Sequence, residues 1–263
     1  MTQDRLWPTF VDTHTHLDDD QFVGELEAVV ERSLNAGVTR IINIGYEPAR
    51  WPTTIELGRR FPSTSIALGL HPQNADQFRS SLIDELEVLT AQSGAVAIGE
   101  IGLDFFRDGP ILEQQLTAFE AQLALARNLD LPVVIHQRAA SEKLYHVLAA
   151  ASNDTRCVLH SFEGDQQLVA LGIERGFAFG VGGLMTRENA QPLRALLSKI
   201  PLDLLMLETD SPYLVPAGLK SRRNEPANLP AIANTLATLL DLPVEHVANT
   251  TTGNAIQFFR LDQ

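Results

Sequence analysis

Eight short apolar runs recur along the chain, and each is followed by a polar loop and an amphipathic stretch. The runs are nearly continuous in hydrophobicity and rich in β-branched residues, a pattern typical of parallel strands that are covered by helices. We therefore predict eight strands, over the ranges 10–14, 40–45, 65–71, 95–102, 132–136, 156–160, 177–183 and 204–210.

Helical periodicity fills the intervals between these runs. It is clearest over 111–129, where apolar residues follow the three- and four-residue spacing of one buried face. Eight strand–helix units close most economically as an α/β fold of the (β/α)₈ (TIM) barrel type, with an open doubly wound sheet as the alternative. Similar patterns predict the other helices over the ranges 25–36, 48–60, 80–92, 140–151, 165–175, 189–199 and 228–240.

The length also fits one barrel. No Gly/Ser linker or composition break divides the 263 residues, so we assign residues 1–263 to a single domain. The pattern over 244–260 predicts one extra C-terminal helix that packs on the outside. The first residues carry no basic-then-apolar signal, and no apolar run approaches the about 18 residues of a membrane span. We therefore expect a cytoplasmic protein with no membrane partner.

The charge of the chain limits how it could meet nucleic acid. A formal net charge of −13 argues against a protein that coats nucleic acid broadly, because such binding needs a basic surface that displaces counterions. It leaves room for an enzyme whose metal ions and a few arginines meet phosphates locally. Charge alone therefore does not identify the substrate.

Polar side chains close several of the apolar runs, and barrel enzymes carry their chemistry at these carboxyl ends of the strands. The first run ends in Asp-Thr-His-Thr-His, so His14 and His16 face the same side of a strand and can reach one ion. The fourth run contains Glu100 between two glycines. An ionisable side chain inside an apolar strand is costly unless it is paired or bound to a cation.

His136, His160 and Asp210 close the fifth, sixth and eighth runs at the same end. One buried histidine is usually a hydrogen-bonded core residue, but four histidines and two acids at one face of a barrel indicate a metal site. Six ligands exceed the four of a tetrahedral ion, so we predict two divalent ions that are bridged by Glu100.

The two ions would share the ligands unequally. The two histidines of the first strand would hold one ion together with Asp210, and His136 and His160 would hold the other. A water between the ions would lose its proton near neutral pH and become the nucleophile. Asp210 is placed to accept that proton as general base, so Asp210 and Glu100 are the predicted catalytic residues.

Motifs around these residues strongly resemble the TatD family of metal-dependent deoxyribonucleases, within the amidohydrolase-like barrels. The resemblance covers nearly the whole chain and includes a matching tail over 247–259. The other motifs are DTHTHLD (12–18), GLHP (69–72), GEIGLDF (99–105), LPVVIHQR (131–138), LHSFEG (159–164), ETDSPYL (208–214) and RNEPANLP (223–230).

The resemblance implies metal-dependent hydrolysis of phosphodiester bonds, commonly the 3′-to-5′ removal of nucleotides from DNA, with Mg²⁺, Mn²⁺ or Zn²⁺ as cofactor. The family's six ligands fall on the six positions derived above. Two departures bear on the preferred substrate rather than on the metal chemistry. Ala139 stands where the family usually has an acidic residue, and Phe105 and Phe106 stand where it often has tyrosine.

Four further groups are candidates for substrate contact or for support of a ligand. His71 is predicted to contact substrate or support a ligand, the alternative being a loop histidine. Arg138 could contact phosphate or form a surface ion pair. The basic run 220–223, which includes Arg223, could recognise phosphate or simply be solvated. Asp104 could orient a ligand or bind loop amides.

The sequence favours phosphodiester hydrolysis on nucleic acid, with the 3′ end of DNA as the expected substrate. The second reading is amide or ester hydrolysis, including ester cleavage on aminoacyl-tRNA, because the same metal chemistry attacks carbonyl carbon. A non-catalytic barrel that binds metal or a partner is the third. Its site would be closed to solvent, whereas these ligands are predicted at the face where barrels open.

Overall fold

The computed structural model describes residues 9–261, in which eight parallel strands form one sheet whose order follows the order of the chain. The sheet curls into a nearly closed barrel, which confirms the predicted α/β barrel and excludes the open doubly wound sheet. The strands are β1 (Phe10–Thr15), β2 (Val38–Gly45), β3 (Thr64–Leu68), β4 (Ala97–Asp104), β5 (Val133–Arg138), β6 (Cys157–Leu159), β7 (Ala178–Val181) and β8 (Leu205–Leu207).

Within residues 9–261, nine α-helices alternate with or follow the strands, and every predicted helix is present. They are α1 (Leu26–Asn35), α2 (Trp51–Arg60), α3 (Ser80–Ser93), α4 (Leu112–Asn128), α5 (Ser141–Ala150), α6 (Gln166–Arg175), α7 (Gln191–Leu197), α8 (Leu229–Leu240) and α9 (Val244–Phe259). Short 3₁₀ turns lie at Asp20–Phe22, Pro72–Gln77, Gly183–Thr186, Leu202–Leu204 and Pro226–Asn228. None of the helices in this part of the chain is long and apolar enough to cross a membrane.

The strands bury both of their faces. One face packs against the helices, and the other fills the barrel interior with a layer that includes Val134, Val158 and Met206. Each of these three residues lies two positions before a polar residue, His136, His160 or Glu208, at or just after the carboxyl end of its strand. The apolar interior layer therefore lies directly beneath these polar side chains. Helix α9 contacts β1 and β8 and packs Phe259 against this layer.

The barrel closes along the seam between β1 and β8. A parallel bridge joins Thr15 to Ser211, and the amide of Asp210 donates to the carbonyl of His14 at 2.9 Å. The buried carboxylate of Asp12 accepts hydrogen bonds from the amide of Thr209 at 2.9 Å and from its hydroxyl at 2.6 Å. The first strand and the segment after the last are therefore tied together directly beside the predicted ligands.

Candidate metal centre

A cavity of about 780 Å³ opens at the carboxyl ends of the strands, where barrel enzymes carry their active sites. Its walls also include Tyr46, Tyr213 and three arginines, which are Arg107, Arg138 and Arg187. The predicted ligands form much of its inner surface, and those that line it are His16, Glu100, His136, His160 and Asp210.

The first group of donors lies across the seam. His14 and His16 leave the end of β1 on the same side, and their Nε2 atoms are 3.3 Å apart. Asp210 Oδ1 lies 3.3 Å from His16 Nε2 and 3.8 Å from His14 Nε2. The alternation of side chains along a strand brings the two imidazoles together, and the seam brings the carboxylate to them.

The second group of donors lies on β4, on β5 and directly after β6. Glu100 Oε1 is 2.6 Å from His136 Nδ1 and 3.1 Å from His160 Nε2. Gly102, with a φ of +140°, allows this closeness, because a Cβ at that position would collide with the carbonyl oxygen of His136. The glycine two residues after the acid thus sets how closely β4 and β5 approach at the site.

Glu100 lies between the two groups. Its Oε2 atom is 3.5 Å from His14 Nε2, while its Oε1 atom faces the imidazoles of the second group. The structure therefore brings all six predicted ligand positions together around one carboxylate. Three overlapping sets of donor atoms in the described residues lie close enough to hold an ion: His14, His160 and Asp210; His14, His16 and Glu100; and His71, Glu100 and His136.

The charges in the centre are strongly coupled. Burial would raise the pKa of Glu100, but the surrounding imidazoles of His160, His71 and His136 hold it well below its usual range. Burial would lower the pKa of His160, but the carboxylates of Glu100 and Glu208 outweigh this and hold it well above the ordinary value. The cluster thus favours ionised carboxylates, which are the form that binds a cation.

Asp104 at the end of β4 makes two kinds of contact, which correspond to the two roles that the sequence left open. Its Oδ2 atom lies 3.3 Å from His136 Nε2, and its Oδ1 atom accepts from the amides of Phe106 and Arg107 at 2.9 and 3.2 Å. Burial would raise the pKa of Asp104, but the hydrogen bonds from His136 and the amides hold it at about 2. A carboxylate that fixes a ligand imidazole in this way is common around protein-bound metals.

Two buried acids of the site were missed by reasoning from sequence alone. Glu208, just after β8, places Oε1 3.3 Å from His160 Nδ1 and accepts from the amide of Ser161. Asp12 fastens the seam as described above. Both stand in apolar strand ends within motifs that were recognised, so the same cost of burying an acid that singled out Glu100 could have found them.

His71 lies on the wall of the cavity beside the second group of donors. Its Nδ1 atom accepts from the amide of Gln73 at 3.1 Å, and its Nε2 atom is 3.6 Å from Glu100 Oε1. Burial lowers the pKa of His71 to about 3, helped by the neighbouring His136. His71 is therefore a neutral imidazole whose Nε2 faces the central carboxylate.

The two predicted phosphate-binding arginines lie in different places. Arg138 lines the cavity and stacks its guanidinium 4.1 Å from the ring centroid of Phe106. Arg223 lies outside the cavity lining. Its guanidinium donates to Glu25 at 2.9 Å, to Glu225 at 2.7 Å and to the carbonyl of Gln21. Arg223 is thus engaged in a local network that ties the loop after β8 to the start of α1.

The donor set fits divalent metal ions. The Nε2 atoms of His14 and His16 can share a hydrogen bond, or, when both rings carry their proton on Nδ1, they direct both lone pairs at a shared cation. Zn²⁺–imidazole bonds of about 2.0–2.1 Å put adjacent corners of a tetrahedron about 3.3 Å apart, close to the separation of these two atoms. In the second group, a proton on His136 Nε2 that is donated to Asp104 leaves the Nδ1 lone pair directed at the position a cation would take.

Comparison with known sequences gives consistent results. A family model described as TatD related DNase matches residues 11–260. The chain is 36% identical over 258 residues to an Edwardsiella piscicida protein named 3′-5′ ssDNA/RNA exonuclease TatD, which covers 95% of this chain and 99% of the relative. It is 32% identical over 252 residues to a Bacillus subtilis protein named uncharacterized metal-dependent hydrolase YabD, with 95% and 99% covered.

Solved structures show the same relationship. The crystal structure of YjjV, a TatD homologue from Escherichia coli, has a TM-score of 0.89 and 32% sequence identity, covering 96% of this chain and 98% of that one. An organophosphorus hydrolase variant from Deinococcus radiodurans has a TM-score of 0.62 at 16% identity, covering 96% and 93%. The second likeness extends to the fold alone.

Proposed function

Because this chain belongs to the TatD-related DNase family of metal-dependent hydrolases, we propose that it removes nucleotides from the 3′ end of single-stranded nucleic acid by hydrolysing phosphodiester bonds. The observation that carries the proposal is the position of Glu100, whose two oxygens face two separate groups of imidazoles. A carboxylate in this position suits a bridge between two cations better than a role in a single site.

The residues divide into two cation sites. His14, His16 and Asp210 would hold one divalent ion, and the second would lie between His136 and His160. Glu100 would contribute one oxygen to each. Bound Mg²⁺, Mn²⁺ or Zn²⁺ polarises a phosphoryl oxygen and lowers the pKa of water, which is the chemistry that hydrolysis of a phosphodiester needs.

Asp210 is the proposed general base. It contacts both histidines of β1 through Oδ1, and within residues 9–261 its Oδ2 atom has no hydrogen-bond partner. The second oxygen is therefore available to accept a proton from the attacking water. Although burial would raise the pKa of Asp210, the hydrogen bond from His16 and the nearby imidazoles lower it, so the carboxylate starts the reaction ionised.

Two further acids hold the imidazoles in place. Asp104 fixes His136 and Glu208 fixes His160, each through the ring nitrogen that faces away from Glu100. These contacts would keep the remaining ring nitrogens directed at the ions while the substrate is exchanged. We further propose that residues 1–263 form one catalytic domain that works in the cytoplasm.

The mouth of the cavity suits a nucleic acid substrate. Arg107, Arg138 and Arg187 line it in a chain whose formal net charge is −13. Three guanidinium groups at one opening can meet backbone phosphates locally, although the molecule as a whole is acidic. The name of the Edwardsiella piscicida relative specifies single-stranded DNA and RNA, and this supports a single strand as substrate here.

Four substrates tested side by side distinguish the possible reactions. We expect metal-dependent release of mononucleotides from a 5′-labelled single-stranded oligonucleotide, and slower cleavage of its duplex and of an aryl phosphodiester. An aryl ester should be cleaved poorly. Removal of metal with a chelator should abolish every activity, and adding back Mg²⁺, Mn²⁺ or Zn²⁺ separately should identify the preferred ion. Faster turnover of the ester than of any phosphodiester would overturn the proposal in favour of an ester hydrolase.

A further inference from the structure

The loop between β4 and α4, residues 105–111, exposes large apolar side chains beside the mouth of the cavity. Phe105 is 41% exposed, Phe106 66% and Ile111 64%. Arg107, in the same loop, lines the cavity itself. Aromatic rings that are left in water at the edge of a substrate pocket are costly for solubility, and their position suggests that they contact a ligand.

Phe106 is not simply a loose side chain, because Arg138 organises it. The guanidinium of Arg138 lies over the ring of Phe106, 4.1 Å from its centroid. Among residues 9–261, Arg138 has no carboxylate within ion-pair distance, and the residue after it is the neutral Ala139. Glu163, which also lines the cavity, attracts Arg138 electrostatically without forming an ion pair, so the guanidinium stays at the mouth while it holds the aromatic ring beside it.

We propose that Phe106 and Arg138 form a stacking platform for a nucleobase of the bound strand, next to the phosphodiester that is cleaved. The platform rests on the proposed function, since it assigns the base-binding part of that same site. Proteins that bind single strands without sequence preference combine aromatic rings, on which bases stack, with cations that follow the phosphates. Here the ring and the cation lie in contact.

The charge around the platform favours a base over an apolar peptide segment. Arg107 and Arg187 line the same cavity and, in the part of the chain that the structure describes, neither has a carboxylate within ion-pair distance. A polyanion whose every unit carries both a flat ring and a phosphate matches this mixture of aromatic and cationic groups. An apolar peptide would supply no negative charge to these guanidinium groups.

The test measures binding to two strands that differ only in their bases. A labelled single strand with cleavage-resistant phosphorothioate links at its 3′ end is compared with the same strand lacking bases at the last two nucleotides. Stacking of a base on an aromatic ring is worth about 1–3 kcal/mol, so the wild-type protein should bind the complete strand roughly 5- to 140-fold more tightly. In Phe106→Leu this preference should fall close to one.

The matched control is Ile111→Ala, which removes an exposed apolar side chain from the same loop without touching the platform. It should keep the wild-type preference for bases. If Phe106→Leu kept that preference as well, or if the wild-type protein bound both strands equally, the platform would be refuted. Intact base preference with no cleavage of an ordinary phosphodiester strand would instead refute the proposed nuclease function and leave the platform standing.

A second pair of variants tests the role of Arg138. Ala139 has a φ of +51°, a left-handed conformation that aspartate and asparagine adopt more readily than most residues. Ala139→Asp places a carboxylate beside the arginine and should reduce the preference for bases several-fold, whereas Ala139→Asn, similar in shape but neutral, should not. Equal behaviour of the two variants would show that the free charge of Arg138 has no part in the platform.

Discussion

The floor and the rim of the cavity are built in different ways. The floor consists of side chains at strand ends, such as His14, Glu100 and His160, which are buried and held by further buried acids. The rim consists of loop residues such as Phe106 and Arg187, which reach into solvent. The register of the barrel thus sets the geometry of the floor, and loops set that of the rim. We expect floor variants to alter the chemical step and rim variants to alter binding.

The largest effect should follow from Glu100→Ala. This variant removes the one carboxylate that faces both groups of imidazoles, so both ions should be lost or their occupancy sharply reduced. Activity should fall by more than the about 10²–10⁴-fold that removal of a general base costs. Metal analysis by mass spectrometry checks the first expectation. Full metal content in the variant would contradict the bridging role of Glu100 and show that the ions bind without it.

The next largest effect should come from Asp210→Asn, measured at saturating metal. Asparagine keeps an oxygen that can reach the ion but cannot accept a proton near neutral pH, so kcat should fall about 10²–10⁴-fold. KM should change little, because the rim is untouched. A nearly normal kcat under these conditions would mean that Asp210 serves only as a ligand and that the proton leaves by another route.

Glu208→Gln should have an intermediate effect that separates positioning from binding of the ion itself. The glutamine cannot supply the negative charge that holds His160 Nδ1, and loss of such a support typically weakens metal affinity about 10- to 100-fold. Competition with a chelating dye measures this affinity directly. Asp203→Asn, which alters an exposed acid just before β8, is the control and should retain wild-type affinity. Unchanged metal affinity in Glu208→Gln would show that Glu208 does not position His160 for metal binding.

The smallest effect should follow from Arg187→Ala at the rim. With single-stranded substrate, KM should rise several-fold while kcat stays within about two-fold, since only a phosphate contact is lost. The dependence of binding on log salt concentration should become shallower by about 0.7, the contribution of one phosphate in a single strand. Arg223→Ala is the matched control, because its charge is engaged by Glu25 and Glu225 away from the cavity. A loss of kcat in Arg187→Ala would contradict the expectation that rim residues affect binding and not the chemical step.

The floor could be predicted from the sequence because its signal is local. Each predicted ligand follows or ends an apolar run or, like Glu100, lies near its carboxyl end, and the barrel topology alone brings such ends to one face. The ends of the strands were less accurate. The eighth run was predicted as strand through Asp210, but β8 ends at Leu207, and Asp210 has a φ of +55°, which lies outside strand geometry. At this point the chain turns out of β8 to make the contacts with β1 that close the barrel.

The rim and the supporting network could not be predicted, because they depend on contacts between distant parts of the chain. Arg223 was left between phosphate recognition and solvation, and the basic run could not reveal its partner Glu25, which lies 198 residues earlier in the sequence. Arg138 was left between phosphate contact and a surface ion pair; within residues 9–261 the structure shows no ion pair for it, and phosphate contact stays a prediction. The structure shows a guanidinium stacked on Phe106, a contact that depends on the conformation of the loop after β4.

The seam between β1 and β8 has a consequence for the order in which the protein is made. Asp12 and Thr209 are 197 residues apart, and the donors around the first cation site come from β1, β4 and the segment after β8. A growing chain on the ribosome cannot complete this site until nearly the whole sequence has been synthesised. A metal ion bound at this proposed site would stabilise only the finished barrel, because the assembled donors do not exist earlier. A chain that ended before Asp210 would therefore lack the last donor of this proposed site.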